Sequence, residues 1–205
     1  MKDVHLEILV EEASMEVFLR ALLPRLLGDG ARFDVHAYQG KDDLVKKLPD
    51  RLRGYTHWIP ETWRIVVVVD RDQDDCYTLK QRMEAIITDA NLRSRAKAKS
   101  MQWQVVSRIA IEELEAWYFG DWETVCALYP GVSENIPKKK NYRDPDAIPG
   151  GTWESFERIL QKAGHHKGGL RKIEAARALG GKMVPDRNRS RSFQVFRAAL
   201  LEAIA

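Results

Sequence analysis

Cysteine is scarce in this 205-residue chain. Cys76 and Cys126 stand far apart and form neither a metal-type pair nor a redox pair. A reducing cytoplasm is therefore the simplest home. Long apolar runs are missing too. None approaches the roughly 18 residues of a membrane span. Lys2, Asp3, His5 and Glu7 interrupt the stretch where a secretory leader would place its apolar core. No internal repeat and no low-complexity segment is present. Nor does one sign of charge dominate: the formal net charge is +3, which alone does not argue for nucleic acid. With these classes set aside, 44% hydrophobic residues suffice for one packed domain, or one domain with a small appendage.

What is present alternates strand and helix. VHLEILV (4–10) reads as a strand, and EEASMEVFLRALLPRLLG follows with Val17, Phe18, Leu22 and Leu26 at helical spacing. Ser14 is the expected N-cap, and Pro24 is expected at a kink or boundary. FDVHAYQ (33–39) is an alternating second strand, and KDDLVKKLPDRLRGY a charged helix. WRIVVVVD is a third strand, whose unbroken apolar run predicts burial on both faces of a parallel sheet. DCYTLKQRMEAIITDANLR (75–93) is an amphipathic helix and WQVVSRIA (103–110) a fourth strand. IEELEAWYFGD opens another helix, with Trp117, Tyr118 and Phe119 expected in the core, and WETVCALYP extends the helical region. This β-α-β-α-β-α-β-α order predicts an α/β sandwich around a mostly parallel sheet flanked by helices. A loop-rich stretch from Pro130 to Gly151 follows, then three short helical patterns over 152–205.

Acids crowd the ends of three strands. In a parallel α/β sheet, ligands bind at the carboxyl ends of the strands. The first strand runs into Glu11 and Glu12, the third into Asp70, Asp72, Asp74 and Asp75, and the fourth into Glu112, Glu113 and Glu115. If these strands are neighbours, the acids converge on one edge. Each ionised carboxylate raises the cost of ionising the next, so a cation belongs among them. Oxygen ligands with no Cys or His cluster nearby suit Mg²⁺ or Mn²⁺ rather than zinc. Asp70 and Asp72, two apart in extended backbone, would point the same way. Asp74 and Asp75 fall where a helix starts and the macrodipole favours anions, so capping is their alternative role. The same dipole offers Glu112, Glu113 and Glu115 a bland role at a helix start, as the alternative to a place in the site. Glu12 reads as a loop residue, and Glu16 as a helix-surface residue with a supporting metal role as the alternative.

LVEEASMEVFL, VVVVDRDQDD and IEELEAWYFGD together resemble the Toprim fold. That is the metal-binding domain of topoisomerases, primases and overcoming-lysogenization-defect-type nucleases. Its pattern is a glutamate ending the first strand and a D-x-D ending the third, and Glu11, Asp70 and Asp72 match those positions. More narrowly, the chain resembles Toprim-like families encoded beside an ATPase of the structural-maintenance-of-chromosomes kind in bacterial anti-phage loci. In them the segment matching Glu113 to Trp117 recurs after the fourth strand. The resemblance covers about residues 4–125. It departs in one place, which bears on a second metal site. Glu12 replaces the glycine that often follows the glutamate, Met15 stands where a further acid is often found, and Glu16 is one helical step, roughly 100°, away.

The resemblance implies a Toprim-like metal-binding domain over 1–125, and the residues beyond it read as a loop-rich connection over 126–151 and a basic helical extension over 152–205 packed on the core. Glu11, Asp70 and Asp72 would hold Mg²⁺ or Mn²⁺. Glu115 joins them in catalysis, and Glu113, Asp74 and Glu16 are secondary acids. The implied activity is a metal-dependent nuclease in bacterial defence, acting on DNA or RNA as the effector of an ATPase partner. A non-catalytic regulatory subunit of such an ATPase is the alternative. Self-association is left open, and no membrane partner is expected.

Charge is unevenly placed. Residues 1–90 carry 13 Lys/Arg against 17 Asp/Glu, and residues 91–205 carry 20 against 13. Such asymmetry fits a metal site in front of an anionic substrate. HHKGGLRKIEAARALGGKMVPDRNRSRSF (165–193) holds much of the positive charge. Lys167, Arg171, Lys172, Arg187, Arg189 and Arg191 are candidates to contact phosphates, with Ser190 and Ser192 adding hydrogen bonds. The alternative is a solvated helical hairpin. His165 and His166 read as a loop-surface pair, and Lys138 to Lys140 as a solvated loop. In this reading the basic tail and the acidic cluster are separate sites.

Overall fold

The computed structural model describes residues 4–98 and 102–205. Strands β1 (His5–Val10), β2 (Arg32–Ala37), β3 (Trp63–Asp70) and β4 (Val105–Ala110) form one all-parallel sheet in the order β2-β1-β3-β4. The three acid-ended strands are therefore neighbours. Helices α1 (Ala13–Leu27), α2 (Lys41–Thr56) and α3 (Cys76–Asp89) connect the strands. After β4 come α4 (Leu114–Gly120), α5 (Trp122–Leu128), α6 (Thr152–Lys162), α7 (Lys172–Lys182) and α8 (Arg191–Ile204). The protein is an α/β fold, with eight α-helices flanking the sheet among the described residues. None of its described helices is long and apolar enough to cross a membrane.

The two-residue period of a strand sorts β3 onto two cores. Ile65, Val67 and Val69 pack with Leu44, Leu48 and Leu52 of α2 and Leu79 and Met83 of α3. Val66 and Val68 pack with residues of α1, α4, α7 and α8 in a cluster running from Val4 to Ala203. The C-terminal helices thus share one core with the sheet, and the continuous apolar run is buried on both sides as it requires. Trp117, Tyr118 and Phe119 lie in that cluster. The same alternation puts Asp70 on the face of Val66 and Val68. A carboxylate occupies a core position.

Two local expectations change. The N-cap of α1 is Glu12, not Ser14, and the buried Ser14 hydroxyl donates to the Glu12 carboxylate. Pro24 neither ends nor breaks α1, which runs to Leu27. A proline removes one helical N–H, and this one falls in the last turn, where its own carbonyl accepts from Gly28. Helix α7 lies close against α1. A Cβ built on Gly180 would stand 2.4 Å from the Phe18 carbonyl oxygen, so only glycine fits there. That approach fixes α7, whose first residue is Lys172.

Candidate metal centre at the carboxyl edge of the sheet

The exits from β3 and β4 are tied together. Arg71 N–H donates to the Ala110 carbonyl and Asp72 N–H to the Glu112 carbonyl, each at 2.9 Å. Both loops then turn through left-handed residues, Asp72 at φ 48° and Glu112 at φ 58°. Non-glycine residues held there cost on the order of 1 kcal/mol, a strain that clusters at functional sites. Asp72 is therefore not extended, and its carboxylate does not run parallel to that of Asp70. It meets Lys41 Nζ at 2.6 Å instead, and the same ammonium reaches Asp74 at 2.8 Å and the Arg71 carbonyl at 3.0 Å.

Asp70 turns inward. It is 5% exposed, and its Oδ1 has no hydrogen-bond partner among the described residues. Its backbone N–H donates to Glu11 Oε2 at 3.2 Å, so the two acids are adjacent. Burial, then repulsion from Glu11 and Glu115, pushes the Asp70 carboxyl well above the usual range. Burial also pushes Glu11 up to about 7, with Asp72 adding to the shift and the Asp70 N–H opposing it. Glu115, in the first turn of α4, is buried and likewise raised to about 7 by burial, with Lys172 opposing and Glu113 adding.

Lys172 belongs to this cluster. Burial disfavours its charge, but Glu115, Glu12, Glu113 and Asp70 outweigh that and hold its pKa above the usual lysine value. Its Nζ lies 5.3 Å from the Trp153 ring centroid. Of the basic tail, Lys172 at the start of α7 comes near enough to the acidic edge to feel its charge, whereas Arg187 and Arg189 bind Asp121 and the Arg143 carbonyl.

The remaining predicted residues divide by partner. Glu113 Oε2 accepts from Thr152 Oγ1 and from the Trp153 N–H, each at 3.1 Å, and so caps α6. Glu16 pairs with Arg20 at 2.8 Å. Asp75 caps α3 through the Thr78 N–H at 2.8 Å, and Glu112 pairs with Arg71 at 3.2 Å. In the tail, Arg187 binds Asp121 at 2.7 Å and Glu123 at 2.5 Å. Ser190 and Ser192 are buried around Asp146, which accepts from Ser190 Oγ at 2.7 Å and from the Ser192 N–H at 2.8 Å. Ser190 also caps α8. These hydroxyls hold the helix start rather than facing outward. Lys167, Arg171, Arg189 and Arg191 are exposed, although Arg171 reaches Glu174 at 3.3 Å and Arg189 donates to the Arg143 carbonyl. His165 Nε2 lies 2.8 Å from the Pro130 carbonyl oxygen.

Lys41 escaped the sequence reading. One signal could have found it. In a parallel βα unit the helix starts at the carboxyl edge of the sheet, and Lys41 is the first residue of α2. Together with Glu11, Gly40, Asp72 and Asp74 it lines a cleft of about 410 Å³.

The donor set fits a hard divalent cation. It is all oxygen, it includes one buried carboxylate oxygen without a partner, and its members raise one another's pKa. Each of these is relieved by a bound cation. Among known proteins, a family model described as Domain of unknown function (DUF4276) matches residues 10–201. No curated protein and no solved structure matches the chain.

Proposed function

This chain belongs to the DUF4276 family, and for it we propose divalent-metal-dependent phosphodiester hydrolysis, a nuclease activity on DNA or RNA. The observation that carries the reading is Asp70: a buried carboxylate oxygen with no partner among the described residues, next to Glu11, at the carboxyl end of a central parallel strand. Glu11 and Asp70 would hold Mg²⁺ or Mn²⁺, with Asp72 joining when Lys41 releases it. When bound, such an ion polarises a phosphate oxygen and lowers the pKa of a coordinated water.

The chain's own groups supply the rest. Glu115, with a pKa near 7 in the metal-free protein, can hold or give up a proton near neutrality. Lys172 and Lys41 bring positive charge to the rim of the acidic cluster, where a phosphate would lie. Lys167, Arg171, Arg189 and Arg191 offer exposed cations to a nucleic-acid backbone. The resemblance to Toprim proteins encoded beside ATPases supports a cytoplasmic role in bacterial defence, with an ATPase as the partner to test.

One observation favours a second reading. Lys41 already pairs with Asp72 and Asp74, which suits an acidic edge that is structural, as in a non-catalytic regulatory subunit of an ATPase complex. Cleavage of plasmid, single-stranded DNA and transfer RNA with Mg²⁺ or Mn²⁺, with and without the ATPase, separates the two. The nuclease reading expects cutting that chelator abolishes and Asp70→Asn lacks. Absence of cutting in every arm, with Mn²⁺ binding retained, supports the regulatory subunit.

A further inference from the structure

A second constellation lies at the opposite, amino edge of the sheet. His5 and Glu7 sit two apart on β1, so both face the same side, and the parallel register sets Asp34 of β2 directly beside Glu7. His5 and Glu7 are buried, while Asp34 is exposed. The His5 ring packs against Trp63 at a tilt of 34° with centroids 3.9 Å apart, and its Nε2 faces two carboxylates. It lies 3.0 Å from Glu7 Oε1 and 3.5 Å from Asp34 Oδ2, and the three atoms fall within 4.8 Å of one another.

We propose that His5, Glu7 and Asp34 form a binding site for a divalent transition-metal ion of the kind that combines imidazole nitrogen with carboxylate oxygen, such as Zn²⁺ or Co²⁺. The site is independent of the nuclease reading. Three features carry it. The first is spacing: ligand atoms that share an ion at bonds of about 2.1 Å stand about 3.0–3.4 Å apart, and the two His5 distances bracket that range. The second is ligand type, because one nitrogen with two carboxylate oxygens selects ions such as Zn²⁺ over Mg²⁺. The third is support around the ligands. Glu7 Oε2, the oxygen turned away from His5, accepts from the Tyr55 hydroxyl at 2.6 Å and sits 2.7 Å from His36 Nε2, with Arg51 at 4.0 Å. Outer partners of this sort fix a carboxylate and present its other oxygen, here the Oε1 that faces His5 Nε2 at 3.0 Å, to a shared ion.

Charge agrees. Two carboxylates with a neutral imidazole balance a 2+ ion, and the Glu7 carboxyl is already held in its ionised form. Coordination takes the lone pair of His5 Nε2, so binding displaces any proton there and tightens as pH rises.

Co²⁺ titration followed by its visible d–d absorption tests the site, in the parent, Asp34→Asn, His5→Gln and Asp70→Asn. Asp34 is exposed, so its variant folds even if the buried His5→Gln does not. The expected result is one Co²⁺ per chain at this site in the parent and in Asp70→Asn, with a loss of at least about 10-fold in affinity in Asp34→Asn. Zn²⁺ should bleach the signal, and a hundredfold excess of Mg²⁺ should leave it. Absence of Co²⁺ absorption in the parent overturns the site, as does a Co²⁺ affinity that Asp34→Asn leaves unchanged. Loss in Asp70→Asn with retention in Asp34→Asn would assign the ion to the opposite edge and equally overturn it.

Discussion

Glu7, near the amino end of β1, and Asp70, at the carboxyl end of β3, are each 5% exposed, yet their carboxyl groups behave in opposite ways. Burial raises both. At Glu7 the hydrogen bonds from Tyr55, His5 and His36 overcome it and the pKa falls below the ordinary value. At Asp70 no such donor is present, Glu11 and Glu115 add repulsion, and the pKa climbs. Depth therefore does not decide the charge of a buried acid. The donors within reach decide it. At the amino end of the sheet, donors from the chain's own residues hold Glu7 ionised beside His5 and Asp34. At the carboxyl end, one Asp70 oxygen has no hydrogen-bond donor among the described residues.

The largest expected effect tests the carboxyl end. Asp70→Asn should remove Mn²⁺ binding in calorimetry and lower metal-dependent cleavage by at least about 100-fold, the scale for losing one charge-stabilising group at a reacting centre. Its melting temperature in chelator should be no lower than the parent's, because a repelling carboxylate is gone. Unchanged Mn²⁺ affinity would break the comparison outright.

The next pair sharpens it. Glu7→Gln should destabilise the protein by roughly 1.5–3 kcal/mol at pH 7, since three donors lose a charged acceptor. Glu115→Gln should be neutral or stabilising at pH 8. The pH dependence follows with opposite signs. Glu7 is stabilising above its unfolded value of 4.5, and that stabilisation is lost as pH falls through its lowered folded value. Glu11 and Glu115 have folded values near 7 and unfolded values of 4.5, so the native state binds the extra protons between them. Metal-free stability should then fall as pH rises from about 4.5 to about 7. Urea titrations from well below pH 4.5 up to about pH 8, with and without Mn²⁺, check both. Added Mn²⁺ should reduce the loss at the upper end.

Gly180→Ala probes how the carboxyl end is assembled. Its new methyl would press on the Phe18 carbonyl, with an overpacking cost of about 1–3 kcal/mol. Because α7 carries Lys172, the same change should alter Mn²⁺ affinity without touching an acid, and denaturation with calorimetry measures the two effects together. The smallest effect belongs to the exposed tail. Arg189→Glu with Arg191→Glu should flatten the salt dependence of duplex binding by up to roughly 2 units and leave Mn²⁺ affinity unchanged. Arg187 is left out because Asp121 and Glu123 already hold it. A salt titration with a labelled duplex decides whether these cations meet phosphate.

The sequence by itself determined the strands and helices, the parallel sheet and the gathering of acids at strand ends. Those features rest on local period: two residues per repeat in β3, 3.6 in α1, and an apolar run too continuous for a one-sided strand. What it could not separate was one acid from another. Asp70 and Asp72 look alike in a D-x-D. Only the left-handed turn at Asp72 sends one to Lys41 and leaves the other buried without a partner. Glu113 and Glu115 stand two positions apart in EELE, and only the approach of α6 makes the first a cap while the second stays in the cluster. Ser190 and Ser192 resembled ligands until Asp146 took their hydrogen bonds. Lys172 lies about a hundred positions after Asp70 and reaches the same edge because Gly180 lets α7 press against α1. Pairing of this kind is set by contacts between distant segments, which local period does not encode, so the tertiary structure alone decided which carboxylate oxygens are paired and which, such as Asp70 Oδ1 and Glu112 Oε2, are not.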